Sequence, residues 1–528
     1  MALLTAAIAL ERGNDVALID ESDSISWAEL DQRVDRLING LRAAGLQRGD
    51  TIALIAGNRR EWFEVAYACS HGGWTYVPVN WHWVADELAY VFEDAAPTAV
   101  IVDQRFVDHV TVALADARAV TVRLVVGIGG SDEPGLDPLR GDSRFVNYEA
   151  LLESGAPTEP TEQRLGGPMF YTSGTTGRPK GVRGMLSGGS DLGPEIMQFI
   201  AAGFGQFMPI PGRNLLCGPV YHSAQWAFSF LPMIAGSSVV MQHRFDPADM
   251  LRLIDEHRVS FVHLVPTQMK RLLDLPTDVQ SGFDGSSVVT LWHGAAPCPP
   301  SVKRGLIEWW GPKITEYYGS TEGSVISIID STDWLAKGGS VGRPMDNVEV
   351  IVIGDDDLPV APGGSGTLYF RNKMGTDFSY HNDDGKTAAA HREPGVFTTG
   401  DIGYIDADGY LWLSDRKIDM IISGGVNIYP AEIEGALASH PGVADVAVIG
   451  VPDDEFGESV KAIVQIADGY VESDALVADL IAHCRSLLAG YKAPRTVDFI
   501  AAVPRTATGK IQKQPLRAPY WAGHDRKI

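Results

Sequence analysis

The segment Tyr171-Thr-Ser-Gly-Thr-Thr-Gly-Arg-Pro-Lys-Gly181 gathers the parts of an anion-holding loop. Ser173, Thr175 and Thr176 bring hydroxyl donors, Gly174 and Gly177 let backbone N–H groups approach an anion closely, and Lys180 adds a point charge. The spacing differs from a strand–GxxxxGK[ST]–helix P-loop, and no Ser or Thr follows Lys180. A flexible surface linker has a similar composition, so the loop gains meaning from its companions. Tyr318-Gly-Ser-Thr-Glu322 offers a hydroxyl and a carboxylate, hard oxygen ligands of the kind Mg²⁺ takes. Thr399-Gly-Asp401 carries a carboxylate whose two oxygens can accept from two neighbouring hydroxyls. Lys510, in Thr508-Gly-Lys510, is a cation on a flexible segment near the C-terminus. Alone, Glu322 would read as a solvated carboxylate, Asp401 as a turn residue and Lys510 as a solvated lysine.

Other patterns carry less. Gly127-Ile-Gly129-Gly130 has the look of a dinucleotide loop, but Ser131-Asp-Glu-Pro134 follows instead of a helix start. The chain contains no HExxH and no GxSxG, which leaves a zinc protease or a serine hydrolase without support.

The elements that must position these residues alternate between strand and helix signals. Ser26-x-x-Glu29 can form a capping box, and Leu30, Val34, Leu37 and Leu41 then share a helical face that Gly45 stops. Ile52–Ile55, Ala99–Val102, Ser260–Val265 and Val288–Trp292 read as short buried strands. Strands alternating with helices indicate an α/β fold with largely parallel sheets. Near residue 415 the organisation changes. Met420–Ile422, Val446–Ile449 and Ala462–Ile466 read as strands of a small, mobile α+β domain, joined through the polar stretch Ser414-Asp-Arg-Lys417. The division expected is 1–413 for a large N-terminal domain, 414–418 for a hinge and 419–528 for a C-terminal lid.

Composition bounds the partners. The 528 residues are 45% hydrophobic and 21% charged, ordinary for a globular chain with ample core material. With 43 Lys plus Arg against 67 Asp plus Glu, the net charge of −24 argues against a nucleic-acid partner. Any phosphate chemistry must therefore use a local cationic site. Cys69, Cys217, Cys298 and Cys484 are widely spaced and form no CxxC pair, which suits a reducing compartment and not a zinc site. The apolar start Met1–Leu10 has no basic lead-in, and Pro232 and Gly236 interrupt the stretch Trp226–Met241, shorter than the roughly 20 residues of a membrane span. A cytoplasmic protein without a membrane span is expected, with room for a homodimer.

Taken in chain order, the motifs resemble those of the adenylate-forming superfamily: acyl-CoA synthetases, aryl-CoA ligases, luciferases and peptide-synthetase adenylation domains. Residues 171–181 match its signature loop, Gly294-Ala-Ala-Pro297 its adenine-side loop and Tyr318–Glu322 the next motif. Thr399–Asp401 matches the ribose motif, 414–427 the hinge and following loop, and Pro504–Lys510 the C-terminal lysine motif. The resemblance covers nearly the whole chain.

It implies ATP, Mg²⁺ and CoA as cofactor and co-substrates. Thr172, Ser173, Gly174, Thr175, Thr176 and Lys180 would hold phosphates, with Gly294, Ala295, Ala296, Glu316, Tyr317, Tyr318, Gly319 and Thr321 around the nucleotide. Tyr318 would stack on adenine, Asp401 and Arg416 would reach the ribose, and Thr175 and Glu322 would meet the metal. Lys510 would bridge the acyl carboxylate and the α-phosphate, neutralising two anions as they approach. His222, in Pro219-Val-Tyr-His-Ser223, would stand at the mouth of the acyl pocket, and Ser423, Gly424, Gly425 and Asn427 would line the path of the CoA arm. Asn427 replaces a frequent glutamine, and Ile418 stands where the family's pivot is commonly aspartate or lysine.

The implied reaction is ATP-dependent acyl-CoA synthesis through an acyl-adenylate. Tyr221–Phe230 is aromatic and uncharged, which favours a fatty, aryl or bulky alicyclic acid over an amino acid. Transfer to an amine or a carrier protein is the nearest competing reading. A non-catalytic nucleotide sensor is the competitor from another class, opposed by the intact Lys510, Glu322 and Asp401.

Overall fold

The computed structural model describes residues 4–130, 134–172, 179–184, 187, 202–203, 205, 207–416, 419–423, 426–453, 456–488, 490–506 and 509–522, of residues 134, 415, 416, 426, 427 and 457 the backbone alone. Two sheets dominate the first part of the chain. One has six parallel strands in the order Phe145–Asn147, Leu124–Ile128, Ala99–Asp103, Thr51–Ile55, Thr75–Pro78 and Gly167–Pro168. Thr51–Ile55 and Ala99–Asp103 are buried along their whole length, as uninterrupted apolar runs are when helices cover both faces of a parallel sheet.

The other sheet has nine strands, with Val16–Ile19, Ser238–Met241, Arg213–Leu216, Phe261–Leu264, Thr290–His293 and Ile314–Ser320 parallel at its centre. Its last central strand turns back on Ser324–Asp330 in an antiparallel hairpin. The capping box forms as expected: Ser26 Oγ accepts from the Glu29 backbone N–H and Glu29 returns the bond to Ser26 N–H. The face Leu30, Val34, Leu37 and Leu41 is buried in the core between the sheets.

The expectation of largely parallel sheets holds for these two and not for the next. Val348–Ile353, Gly366–Asn372, Val396–Phe397, Asp401–Ile405 and Leu411–Arg416 form an antiparallel sheet. Leu411–Arg416 runs as strand through the segment read as the start of a hinge, its backbone paired with Asp401–Ile405. Residues 417 and 418, including the proposed pivot Ile418, lie outside the described residues.

The C-terminal part has its own sheet, Val426–Ile428, Ile421–Ser423, Gly457–Ile466 and Val443–Asp453, with Thr496–Phe499 parallel to Gly457–Ile466. Helices Pro430–Leu437 and Asp474–Leu487 pack over it. Ile421, Ile433, Leu437, Val448, Val464 and Leu480 form a core separate from those of the larger part, the mark of a unit that holds itself together. Among the described residues no helix is long and apolar enough to cross a membrane. None of the four cysteines is in a disulfide.

Candidate active site

A small antiparallel sheet carries the two ends of the anion-holding loop. Phe170–Thr172 pairs with Lys180–Arg183, Thr172 opposite Lys180 and Tyr171 opposite Gly181, so residues 173–179 connect a hairpin. Ser173, Gly174, Thr175 and Thr176 lie outside the described residues. The hairpin is pinned from helix Ala85–Ala95, where Tyr171 Oη donates to Asp94 Oδ2 at 2.5 Å and Tyr90 Oη donates to the Pro179 carbonyl at 3.2 Å. The third strand, Ser379–Tyr380, brings Tyr380 beside Lys180. Lys180 Nζ stands 4.9 Å from the centroid of the Tyr380 ring. Burial and the nearby Lys386 ammonium hold Lys180 below its ordinary range, against the pull of Asp383 and Glu322.

Glu322 and Thr321 occupy the tip of the hairpin between Ile314–Ser320 and Ser324–Asp330. Gly319 is required there, because a Cβ would stand 2.1 Å from the Ser324 carbonyl oxygen. Glu322 Oε1 accepts from Tyr380 Oη at 3.1 Å, and Thr321 Oγ1 lies 2.9 Å from Ser223 Oγ. A carboxylate with a hydroxyl beside it suits a Mg²⁺ ion that retains several waters. Among the described residues no group of three or more His, Cys, Asp or Glu could hold a metal without such help.

Successive side chains of Ile314–Ser320 serve two faces. Tyr318 Oη donates to Asp401 Oδ2 at 2.5 Å, and Thr399 Oγ1 donates to the same oxygen at 2.6 Å. Asp401 is paired in register with Arg416, so the two ribose candidates are neighbours through their backbones. Tyr317 faces the other way, into a cluster with Met208, Phe228, Phe261 and Trp292. Its hydroxyl lies 3.1 Å from His263 Nε2, and His263 Nδ1 lies 2.9 Å from Gln225 Nε2. The Phe228 ring stacks on His263 at 4.6 Å, and Phe228 and Trp292 approach to 5.3 Å. Burial pushes His263 down to about 3, which keeps this cluster uncharged at neutral pH.

Glu316 is engaged from below. Its Oε2 lies 2.6 Å from Lys303 Nζ, on helix Pro300–Trp310, and Lys303 is 0% exposed. This pair underlies the turn after Thr290–His293, where Gly294 abuts the Tyr317 ring so closely that a Cβ would come within 2.6 Å. Ala295 holds the left-handed conformation at φ 67°, a cost a non-glycine residue bears only where its surroundings enforce it. Ala296 follows, half-buried.

His222 caps helix Ser223–Ile234, its Nδ1 accepting from the Ala224 N–H at 3.4 Å, which leaves Nε2 to carry the proton. Burial, with the Lys510 ammonium adding to it, pushes His222 down to about 4. Lys510 therefore lies within electrostatic reach of His222, although the two are far apart in the chain. Its backbone N–H donates to Thr506 Oγ1 at 3.1 Å, and Arg505 clamps the segment by pairing with Asp445 at 2.6 Å and donating to the Gly509 carbonyl. Gly509, at φ +80°, faces Thr267 of the larger part. Ser423 ends strand Ile421–Ser423 and is half-buried. Gly424 and Gly425 lie outside the described residues, as does the side chain of Asn427.

The structure thus links Lys180, Glu322 and Thr321 through Tyr380 and Ser223, joins Tyr318, on the same hairpin as Glu322, to Asp401, and brings Lys510 within electrostatic reach of His222, the neighbour of Ser223. Sequence reasoning overlooked Tyr380, Lys303, Lys386 and the His263–Gln225 pair. Tyr380 lies in Ser379-Tyr-His-Asn382, which has no spacing of its own to mark it, and Lys303 is one of several charges on an amphipathic helix.

The family model for AMP-binding enzymes matches residues 6–376, and that for the AMP-binding enzyme C-terminal domain matches 432–510. The chain is 33% identical over 497 residues to a feruloyl-CoA synthase of Amycolatopsis sp, covering 94% of each chain. It is 32% identical over 520 residues to an indoleacetate–CoA ligase of Aromatoleum aromaticum, covering 96% of this chain and 95% of the other. Among solved structures, an amide bond synthetase from Marinactinospora thermotolerans superposes with a TM-score of 0.82 at 26% identity, covering 98% of this chain and 100% of that one.

Proposed function

The chain belongs to the AMP-binding enzyme family and is an AMP-forming acid–thiol ligase; we propose that it makes the CoA thioester of an apolar, aromatic-ring-bearing acid. The observation that carries the reading is the seating of Gly509, immediately before Lys510, against Thr267 and Val265 of the larger part. It supports a role for the Lys510 cation of the C-terminal part beside His222 of the larger part, which also carries Glu322, Lys180 and Asp401.

In the first half-reaction the substrate carboxylate attacks the α-phosphorus of ATP and expels pyrophosphate, giving acyl-AMP. Lys510 offsets the repulsion between the carboxylate and the α-phosphate. Lys180 and the hydroxyls of loop 173–176 hold the departing phosphates. Asp401 accepts from the ribose hydroxyls in place of Tyr318 and Thr399. Glu322 and Thr175 would hold Mg²⁺, which would spread the charge of the leaving pyrophosphate. His222 is neutral and presents Nε2–H as a donor toward the acyl group.

In the second half-reaction the CoA thiolate attacks the acyl carbonyl, the carbon–oxygen bond to AMP breaks, and AMP leaves with the thioester as the other product. The assignment is to residues 1–413 as the binding domain and to 419–528 as the lid. Ser423-Gly-Gly425 and Asn427 then guide the CoA arm. Chemistry of this kind is consistent with an enzyme of the cytoplasm.

The acid is read from the Phe228, Trp292, Tyr317 and His263 cluster beside His222. Its rings and neutral imidazole welcome a planar apolar group and offer no carboxylate to an ammonium. The names of the feruloyl- and indoleacetate-activating relatives point the same way. A panel of aryl, fatty and amino acids, assayed for pyrophosphate release, tests the first half-reaction. AMP release that depends on CoA, and not on an added amine, tests the second. Turnover of an amino acid as fast as its deaminated analogue would refute the substrate reading.

A further inference from the structure

Beside the hairpin 170–183, a cation and an anion share one aromatic side chain. Tyr380 is fixed on the edge of the sheet that carries the anion-holding loop, Val182 opposite Tyr380. Its backbone N–H donates to Thr387 Oγ1 at 2.9 Å, and Phe378 packs edge-on at 5.2 Å between ring centroids. Over the ring sits Lys180 Nζ, 4.9 Å from the centroid. From the hydroxyl a hydrogen bond of 3.1 Å runs to Glu322 Oε1. Lys386, held by Asp383 at 2.5 Å, flanks Lys180 from the same turn of chain.

We propose that Tyr380 is a positioning residue for the phosphate end of the site, its ring seating the Lys180 ammonium and its hydroxyl seating the Glu322 carboxylate. The physical need is clear. A lysine and a glutamate on either side of one tyrosine attract each other, and a closed Lys180–Glu322 pair would have to open before a triphosphate could bind. An aromatic face holds an ammonium through its quadrupole and leaves the positive charge unneutralised. A phenol hydrogen bond orients a carboxylate and leaves its negative charge intact. Both groups are thereby held apart in the form the nucleotide needs. Tyr380 touches no reacting atom; it acts through Lys180 and Glu322, and so rests on the roles proposed for them above.

The test separates ring from hydroxyl. The full chain, as wild type, Tyr380→Phe and Tyr380→Leu, is titrated calorimetrically with α,β-methylene-ATP over a range of Mg²⁺ concentrations. Tyr380→Phe keeps the ring, so nucleotide affinity at saturating Mg²⁺ should match wild type, while the Mg²⁺ needed for half the effect should rise roughly three- to tenfold. Tyr380→Leu should show that shift and also weaken nucleotide binding at saturating Mg²⁺ roughly three- to tenfold. In steady state KM for ATP should rise in the leucine variant and be restored in the phenylalanine one.

Equal losses in both variants, or a Mg²⁺ titration of Tyr380→Phe that overlays wild type, would overturn the proposal. Tyr380→Phe preserves the packing on Phe378, so its result stands even where the leucine variant fails to fold. The titration uses no acid. Nucleotide binding without pyrophosphate release from any acid would refute the ligase reading and leave the Tyr380 result legible.

Discussion

Replacing Lys303 by methionine removes one half of a buried ion pair beneath the nucleotide motifs, and the resulting defect should have a pH signature. Lys303 is 0% exposed, with Nζ 2.6 Å from Glu316 Oε2 and 4.8 Å from the Trp334 ring centroid. His293 lies 3.7 Å from the same carboxylate, yet burial, then Lys303, pushes it well below its ordinary range, so it supplies no second cation. Burial also pushes the Glu316 carboxyl up and the Lys303 ammonium down, each restrained by the other. Removing one member of such a pair costs about 3–5 kcal/mol, and each unit of pKa displacement accounts for about 1.4 kcal/mol of it.

The sign differs between the two single variants. In Lys303→Met, Glu316 is a lone buried carboxyl with its pKa raised above the unfolded value. The unfolded state then loses its proton first, and the deficit grows from pH 5 to pH 9. In Glu316→Gln, Lys303 is a lone buried ammonium with its pKa lowered, and the deficit shrinks as pH rises toward 9. Lys303→Met with Glu316→Leu leaves no stranded charge and should recover most of the loss. Urea unfolding followed by tryptophan fluorescence at pH 5, 7 and 9 reads all of this. Deficits that run parallel across pH, or a double variant as unstable as the sum of the singles, would refute the reasoning.

Glu322→Gln should raise the Mg²⁺ concentration for half-maximal adenylation by about tenfold, as loss of one charged contact would, with thermal unfolding unchanged. Lys510→Ala should lower pyrophosphate release about 10²–10³-fold and spare thioester formation from supplied acyl-AMP; equal losses in both assays would remove Lys510 from the adenylation step. His71 and His263 are both pushed by burial from 6.5 to about 3. The unfolded chain therefore binds more protons below pH 6.5, and stability should fall by about 2 kcal/mol per histidine by pH 5, an acid sensitivity that His263→Phe should reduce in urea titrations.

Local signals carried much of the fold. Ser26 and Glu29 met because a capping box is complete within four residues, and Ile52–Ile55 and Ala99–Val102 became strands because short apolar runs bounded by turns have few other buried conformations. The antiparallel sheet of 348–416 was not foreseen, since its strands are mostly half-buried on both faces, leaving no clean alternation of buried and exposed positions to read. Ser414–Arg416 was read as the start of a hinge from its polarity, and its backbone forms the end of strand Leu411–Arg416. Glu316 shows the limit at the site. Its neighbourhood to Tyr318 was visible in the sequence, whereas its partner Lys303 lies on a helix that only tertiary packing brings beneath it.

The placement of Lys510 also bears on the lid proposed for the C-terminal part. Gly509 lies so near the larger part that a Cβ would stand 3.0 Å from Thr267 Oγ1 and 3.4 Å from a Val265 methyl. That fit, with φ at +80°, explains a glycine immediately before the lysine. The Arg505–Asp445 pair ties this segment to strand Val443–Asp453, so the lysine moves with the C-terminal sheet and not as a loose tail. Ser423 stands on another strand of that sheet, bridged to Gly457. A C-terminal part that carries both Lys510 and Ser423 and turns as one body cannot withdraw the first without displacing the second. On the roles proposed above for Lys510 and Ser423, releasing the lysine and admitting CoA would be one motion, and the separate core of Ile421, Val448 and Val464 would keep the C-terminal part intact through it.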